Sequence, residues 1–378
     1  MSNPPTNFLT GGVDLSSIFM PLSQGSAYSS NTGYTVNNND LNTIFAKYVS
    51  GTKANPTGYT VNNIDLSDIF AKYITSQVGI QWTQRSFPNA GYVNVLATAG
   101  SYWIVGSSYN IYYTSNGGEN WNTSSYNPVN GNYYGIAGNS DGSLFCMSNS
   151  GNFYTSANGG ASWTFRQSVP NSAVGNAMVY SNGVFVNVYL YNSASLGAYS
   201  SDGISWTNSS GYNPGPDTAS WWALATDGNN KLVTTGYKDS LAVAGVAITA
   251  YSSDNGQTWT EGDAIPNGRG NTYPIAYGNG IWVAISNNAP NQTVVSSSWP
   301  PSWTVHVQSI YGDDITFCSP QGKFYVSYGN SGIYSSSDGI NWTEVLNSSD
   351  APFALGYNEY EDKFIGVSFN KAFCFTSI

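Results

Sequence analysis

The chain has 378 residues, of which 8% are charged and 15% are aromatic, and its net charge is −10. Nucleic-acid binding requires a basic surface, which 11 Lys and Arg residues against 21 acidic residues do not supply. The apolar and aromatic content is enough for a folded core, which excludes a disordered chain. No apolar run approaches the ~18 residues of a membrane span, and no signal peptide is visible.

Residues 1–78 contain a tandem repeat. Residues 32–48 read TGYTVNNNDLNTIFAKY, residues 57–73 read TGYTVNNIDLSDIFAKY, and residues 10–19 hold a weaker copy, TGGVDLSSIF. In the two longer copies a β-type run and a turn precede an Asp that suits a helix N-cap, and apolar residues then recur at helical spacing. The pattern predicts a small α+β module. Because helices this short are unstable alone, the module either packs on itself or attaches the chain to a partner.

Residues 79–378 contain a longer repeat that ends in tryptophan. The repeated residues are Trp82, Trp121, Trp163, Trp206, Trp259, Trp303 and Trp342. They recur at intervals of 39, 42, 43, 53, 44 and 39 residues, which is near the ~40–50 residue period of β-propeller blades. Apolar β-type segments separated by turn sequences fill each repeat, as a four-stranded sheet requires.

A short turn segment precedes most of these tryptophans, as in YSSDNGQTW at residues 251–259. An Asp or Asn side chain in such a turn accepts hydrogen bonds from backbone N–H groups, Gly supplies unusual backbone conformations, and Trp buries a large surface. These turns therefore predict a structural role for one residue in each. Those residues are Asn116, Asn158, Asp202, Asp254 and Asp338.

The two ends of the long repeat complement each other. Residues 372–378 match the strand that precedes a turn but lack a following Trp, whereas Trp82 has no turn before it. We therefore expect the segment near Trp82 to pair with the C-terminal strand and close the ring, which removes exposed sheet edges. The predicted fold is all-β, a seven-bladed propeller over residues 79–378 preceded by the module of residues 1–78.

The chain offers little catalytic chemistry. A single His and three Cys exclude zinc sites and Cys/His catalysis, and no phosphate loop is present, so we predict no metal and no cofactor. Asp313 and Asp314 enter an innermost strand, and a solvated loop, a weakly held cation or glycoside hydrolysis all remain open for them.

Aromatic residues are the other candidate ligand-binding groups. They lie at or just before the predicted innermost strands, and they are Tyr134, Trp221, Trp222 and Tyr273. Such side chains stack on sugars or contact a protein partner, and they also pack between neighbouring blades. Both interpretations stay open at this point.

The turn segments resemble the Asp-box, or BNR repeat, Ser/Thr-x-Asp-x-Gly-x-x-Trp, of sialidase-like propellers, and Ser252, Asp254, Gly256 and Trp259 match it in full. The resemblance implies turns between the third and fourth strands of each blade, away from the functional face. Sialidases need three clustered arginines, whereas Arg85 and Arg166 lie on predicted outer strands. Sialidase activity is therefore not expected.

The N-terminal repeats resemble tandem segments in structural proteins of large DNA viruses of protists and algae. The leading hypothesis is a non-enzymatic virion component whose repeats anchor it and whose propeller binds a capsid neighbour or a neutral host glycan. The alternatives are a propeller-type glycoside hydrolase or lyase acting on a polysaccharide, and an assembly factor similar to the Asp-box propellers of photosynthetic membranes. The sequence does not predict an oligomeric state.

Overall fold

The computed structural model divides the chain into two compact units, residues 1–80 and 81–378. In the first unit it describes residues 9–10, 13–14, 35–36, 39–40, 60–61 and 64–65. In the second it describes residues 82–377 except 89–90, 109, 127–132, 150, 170–173, 191–194, 213–217, 241–242, 267, 269–273, 287–290, 330, 349 and 369–372.

The first unit contains the same hairpin three times. The paired strands are β1 (Leu9–Thr10) with β2 (Val13–Asp14), β3 (Thr35–Val36) with β4 (Asn39–Asp40), and β5 (Thr60–Val61) with β6 (Ile64–Asp65). In each hairpin the last residue of the second strand is an Asp, and it pairs with the first residue of the first strand. The helices predicted after Asp40 and Asp65 lie outside the described residues, and the described part of the chain contains strands and no helix.

The second unit consists of seven four-stranded antiparallel sheets. The innermost strands of sheets 1 to 7 are β8 (Val93–Ala99), β12 (Tyr133–Gly138), β16 (Val174–Ser181), β20 (Thr218–Thr226), β24 (Ile275–Gly278), β28 (Asp314–Cys318) and β32 (Ala354–Asn358). The second strands are β9 (Tyr102–Ser107), β13 (Phe145–Asn149), β17 (Val184–Leu190), β21 (Leu232–Ser240), β25 (Ile281–Ile285), β29 (Lys323–Tyr328) and β33 (Lys363–Val367).

The two outer positions complete each sheet. The third strands are β10 (Ile111–Thr114), β14 (Asn152–Ser156), β18 (Gly197–Ser200), β22 (Val243–Ser252), β26 (Gln292–Ser296), β30 (Gly332–Ser336) and β34 (Phe373–Ser377). The outer strands are β11 (Asn122–Thr123), β15 (Thr164–Ser168), β19 (Thr207–Asn208), β23 (Thr260–Glu261), β27 (Thr304–Val307), β31 (Thr343–Asn347) and β7 (Trp82–Ser86).

The innermost strands form a closed ring, in which each contacts the innermost strand of the next sheet and β32 contacts β8. Six sheets are each built from consecutive strands, whereas the seventh combines β32, β33 and β34 with β7. In that sheet Phe373 pairs with Ser86 and Ser377 with Trp82, which is the pairing that the sequence analysis expects. The architecture is an all-β propeller.

The core lies between neighbouring sheets, and the repeated tryptophans fill it. Trp163, Trp206 and Trp259 are at most 8% exposed, and each packs against apolar strands of its own sheet and of the preceding sheet. Trp206 stacks on Phe153 with ring centroids 3.9 Å apart. Each indole therefore joins two sheets, because its large apolar surface is removed from water only when the neighbouring sheet is present.

The turns before tryptophan share one hydrogen-bond pattern. In the turn at 252–259, Ser252 Oγ donates to Asp254 Oδ1 at 2.8 Å, and the Thr258 N–H donates to the same oxygen at 2.9 Å. Asn116, Asn158, Asp202 and Asp338 accept equivalent bonds. Burial opposes ionisation of Asp338, but hydrogen bonds from Asn341 and Ile340 outweigh it and lower the pKa to about 2. These side chains satisfy the backbone of the turn.

Two substitutions of Asp254 distinguish the effect on stability of losing the hydrogen-bond acceptor from the effect of losing the charge. We expect Asp254→Ala to lower the free energy of unfolding by about 1–2 kcal/mol, because the Ser252 hydroxyl, the Thr258 N–H and the Thr258 hydroxyl, which donates to Asp254 Oδ2, all lose their acceptor. Asp254→Asn keeps a carbonyl oxygen and should cost less than about 0.5 kcal/mol, since Asn116 and Asn158 serve two other turns. Urea denaturation measures both, and equal costs for the two variants would contradict this account.

Candidate functional site

A central cavity of about 540 Å³ is enclosed by residues of all seven innermost strands. Pro274, Asp313 and Phe353, which directly precede three of these strands, also line it. This volume lies within the usual range of ligand pockets, roughly 300–1,000 Å³. The cavity lies toward the end of the ring at which the chain enters the innermost strands, because most of its wall comes from the first residues of those strands.

The innermost strands are interrupted at equivalent places. In sheets 1 to 4 the register shifts around Asn94, Tyr134, Asn176 and Trp222. In sheet 6, the Asp313 N–H bonds to Ser327, which also pairs with Asp314. In sheet 7, the Phe353 N–H likewise bonds to Val367, the partner of Ala354. Such bulges turn a side chain out of the regular alternation. The bulge residues are Asn94, Tyr134, Asn176, Trp222, Asp313 and Phe353.

Two more positions follow each bulge residue, and the second of them holds Leu, Ile or Met in every sheet. The first holds Val95, Gly135, Ala177, Ala223, Asp314 and Ala354, with Pro274 in sheet 5. The second holds Leu96, Ile136, Met178, Leu224, Ile315 and Leu355, with Ile275 in sheet 5. Most of these residues line the cavity together with Asn94, Asn176, Trp222, Asp313 and Phe353. The wall therefore combines aliphatic and small residues with Asn, aromatic and acidic side chains, and Asp314 is one of the acidic residues.

The first position after each bulge residue lies where neighbouring innermost strands approach each other. A Cβ at Gly135 would overlap the backbone carbonyl oxygen of Asn176 in the next sheet. At the same position of sheet 6, Asp314 has room for a carboxyl group, which accepts the Leu355 N–H of sheet 7 at 2.9 Å. The ring is therefore tight between sheets 2 and 3 and wider between sheets 6 and 7.

The close approach at Gly135 gives a direct test of this packing. We expect Gly135→Ala to lower the free energy of unfolding by about 3 kcal/mol, because β12 and β16 must separate to admit the methyl group. The reverse change at the equivalent position, Ala354→Gly, should cost only about 1 kcal/mol through backbone entropy. Thermal and urea denaturation of the two variants compare them, and a Gly135→Ala protein as stable as wild type would contradict the packing.

Two carboxyl groups are the ionisable side chains of the cavity wall. Asp314 Oδ1 accepts the Ile315 N–H at 2.8 Å, and Asp313 Oδ2 accepts the Gly329 N–H at 2.7 Å. Burial raises the pKa of Asp313, against the Gly329 bond. Burial raises the pKa of Asp314 to about 7, against its two backbone hydrogen bonds, and the charge of Asp313 adds to the rise. A proton at this site therefore exchanges near neutral pH.

Trp222 contributes an aromatic surface to the wall. It lines the cavity and stacks on Tyr237, with ring centroids 6.3 Å apart and planes 15° apart. Its indole nitrogen is buried without a hydrogen-bond partner among the described residues. The part of Trp222 that remains accessible is therefore carbon.

The structure separates the candidates that the sequence analysis grouped together. Trp222, Asp313 and Asp314 line the cavity, whereas Trp221 is 1% exposed and packs edge-on against Tyr212 between sheets 3 and 4. Trp221 is thus a core residue, and its place among the ligand-binding candidates is corrected, because the side chain before the bulge enters the interface between sheets. Tyr134 is a bulge residue, but its side chain and the whole of Tyr273 lie outside the described part of the chain.

Sequence reasoning missed Asn94 and Asn176, which line the same cavity. Asn176 also donates its Nδ2–H to the Trp221 carbonyl oxygen at 2.6 Å and so links sheets 3 and 4. A signal was present, since both residues precede a small residue and a large aliphatic residue, as Trp222 and Phe353 do. When the repeats are aligned on the two positions that follow each bulge, the bulge residues fall in one column of the alignment.

Within the described ranges, no group of three His, Cys, Asp or Glu side chains is arranged to hold a metal ion. The same residues include no helix with the length and apolarity to span a membrane.

Comparisons with known proteins identify the fold. No family model and no curated protein matches the sequence. A solved structure of YCF48 bound to a D1 peptide is 11% identical, covers 79% of this chain and 96% of its own, and has a TM-score of 0.57. The WD40 β-propeller domain of Doa1 is 10% identical, with coverages of 79% and 97% and a TM-score of 0.55. A chain of the mitotic checkpoint complex is 8% identical, with coverages of 80% and 95% and a TM-score of 0.61. At these low sequence identities, the similarity to the three structures shows the fold alone.

Proposed function

We propose that this chain is a non-enzymatic binding protein whose propeller holds an extended segment of a protein partner at the central cavity. The observation that carries the proposal is the ring of bulge residues, which differ from sheet to sheet while the second position after each of them holds Leu, Ile or Met throughout. The variable positions are where side chains specify a ligand.

Two further features support this proposal. The cavity is wide enough for one or two side chains, and its wall mixes apolar surface with a few polar groups, as binding sites do. A propeller of similar fold was solved with a bound D1 peptide, which makes peptide binding a reasonable use of this architecture. Extended segments bind well to rigid, preformed sites because the protein loses little freedom on binding.

Selection of random 12-residue peptides against the intact chain tests the proposal. Ala223→Trp is designed to fill the cavity from β20. Asn229→Trp adds the same indole at an exposed turn that follows β20. We expect selected peptides to lose about tenfold or more in affinity for Ala223→Trp and to bind Asn229→Trp as they bind wild type. Fluorescence anisotropy measures these affinities.

Other outcomes overturn the proposal. Peptides that bind both tryptophan variants equally would place the binding surface elsewhere, and a selection without enriched peptides would remove peptide binding. An array of neutral glycans tests the hypothesis of a host glycan in the same way. If a glycan binds to the wild type and Ala223→Trp abolishes that binding, the ligand of the cavity is a sugar and not a peptide.

A virion role remains a second proposal, and it rests on the first unit. Three hairpins with one register, each ending in an Asp, are a repeated element suited to repeated contacts. We infer that this unit anchors the chain to a capsid or coat protein while the propeller stays available for binding. Mass spectrometry of purified particles from the source tests this, and absence from every particle would end the virion hypothesis.

A further inference from the structure

We propose that the central cavity accepts the side chain of a Lys or Arg residue from the bound segment, with Asp313 and Asp314 as its anionic partners. This inference rests on the peptide-binding function proposed above and adds the chemistry of the group that enters. It depends on the charge of the wall, on the position of Asp314, and on the apolar surface beside the two carboxyl groups.

The charge of the cavity wall has one sign. Asp313 and Asp314 are its acidic members, and no Lys, Arg or His occurs among the described residues that line it. The chain as a whole also carries a net charge of −10. An anionic ligand would meet like charge on entering, whereas a cationic side chain compensates two carboxyl groups that are otherwise desolvated together.

Asp313 retains an acceptor for such a ligand. Its Oδ2 accepts the Gly329 N–H, and no described group donates a hydrogen bond to its Oδ1. The Phe353 ring also approaches Gly329, since a Cβ built there would lie 2.9 Å from Asp313 Oδ2 and 4.0 Å from Phe353 Cδ2. One charged group and one aromatic group are therefore close together on the wall.

The fold does not need a carboxyl group at position 314. The equivalent residues are Gly135, Ala177, Ala223 and Ala354, and their sheets join the ring without an acidic side chain there. Where a side chain links sheets 3 and 4, the neutral amide of Asn176 is sufficient. An ionisable group buried next to a second one is costly for stability, so its presence is better explained by a ligand than by closure of the ring.

The rest of the wall suits the stem of a Lys or Arg side chain. Both residues bury their methylene groups along apolar surface while the charged end finds a partner. Leu96, Ile136, Leu224 and Ile315 provide aliphatic surface, and the accessible carbon of Trp222 is attractive to a cation that lies over the ring. A cavity of about 540 Å³ holds such a side chain without displacing the strands.

Fixed-centre peptide pools test the inference with the full chain. Five pools of 11-residue peptides carry Lys, Arg, Gln, Leu or Glu at the centre and uncharged random flanks. We expect the Lys and Arg pools to bind about tenfold or more tighter than the Gln pool and the Glu pool to bind weakest. Asp313→Asn with Asp314→Asn should remove the preference, whereas Glu119→Gln with Glu261→Gln, which neutralises two exposed carboxylates outside the cavity, should keep it.

The outcomes distinguish this inference from the function on which it rests. If all pools bind with equal affinity and Ala223→Trp lowers the affinity for all of them, the proposed peptide binding stands. The inference that a Lys or Arg side chain enters the cavity is then wrong. If no pool binds, both proposals fail. A preference for Leu or Glu, or a Lys preference that survives the double substitution, would also overturn the inference.

Two controls distinguish loss of the cationic ligand from a folding defect and from binding of a metal ion. Asp313→Asn alone keeps a carbonyl acceptor for Gly329, so circular dichroism and binding of the Lys pool are measured on this variant as well; a folded protein with an unchanged preference counts against the inference. Calcium alone is titrated by calorimetry. Saturable calcium binding that the double substitution abolishes would assign the carboxyl pair to a metal ion instead.

Discussion

Deletion of residues 373–378 is expected to unfold the propeller or to leave an expanded, aggregation-prone chain. The deletion removes β34, which pairs with β33 through three residue pairs and with β7 through five. At about 0.5–1.5 kcal/mol for each backbone hydrogen bond lost, the cost is on the order of 5 kcal/mol or more. That is a large part of the typical total stability of a folded domain, roughly 5–15 kcal/mol.

The deletion also exposes apolar surface between sheets 7 and 1. Cys374 is fully buried there against Phe87, Val105 and Ile365. Without β34, the edge of β33 and the whole of β7 lose their partners, and unpaired edges promote aggregation. The matched control deletes residues 2–7, which belong to the other unit. Size-exclusion chromatography and thermal denaturation compare the two, and a deleted chain that elutes and melts like the full chain would contradict ring closure.

A covalent bond across the same seam should have the opposite effect. Arg85 and Cys374 are cross-strand partners, and opposite residues of antiparallel strands lie at about 4.5–5.5 Å between Cα atoms, within the range that disulfides span. We expect Arg85→Cys to form a disulfide with Cys374 and to raise the melting temperature under oxidising conditions. The increase should disappear on reduction, and a melting temperature that is insensitive to reductant would contradict the pairing.

The sequence indicates the fold well because the informative signals are local. Most repeats carry their own turn, such as the one in which Asp254 accepts hydrogen bonds from Ser252 and Thr258. Each repeat also carries its own tryptophan, and Trp163, Trp206 and Trp259 are buried where the preceding sheet packs on them. The helices expected after Asp40 and Asp65 stay a prediction. There the structure describes only the preceding strands, in which Asp40 pairs with Thr35 and Asp65 pairs with Thr60.

The cavity was harder to predict because it depends on register rather than on residue type. Trp221 and Trp222 are adjacent and chemically identical, yet a bulge sends one into the core and the other to the cavity wall. Single-sequence reasoning favoured aromatic residues and passed over Asn94 and Asn176. The low charge of the whole chain also favoured neutral partners, whereas the cavity concentrates two of its few carboxyl groups.

The position of Asp314 predicts an unusual dependence of stability on pH. Its pKa is about 7 in the folded protein, against 3.8 for an unperturbed Asp. Below pH 3.8 both the folded and the unfolded protein hold this proton, and the contribution of the group to stability has its full value. Between pH 3.8 and 7 only the folded protein holds it, so folding takes up a proton and the free energy of unfolding falls as the pH rises. Above pH 7 the contribution is lost, and the folded protein carries a buried carboxylate at a cost.

We expect the free energy of unfolding of the wild type to fall by about 2–3 kcal/mol between pH 5 and pH 8 from this group, at about 1.4 kcal/mol for each unit of pKa shift, and by less where cavity water screens the charge. Asp314→Asn should remove that fall. Asp202→Asn is the control, because the Ser205 N–H and other hydrogen bonds lower the pKa of Asp202, so Asp202 is ionised in both states throughout this range. Urea denaturation at four pH values measures the slopes, and an Asp314→Asn protein with the wild-type slope would mean that Asp314 is already ionised at pH 5 and that the cavity is well hydrated.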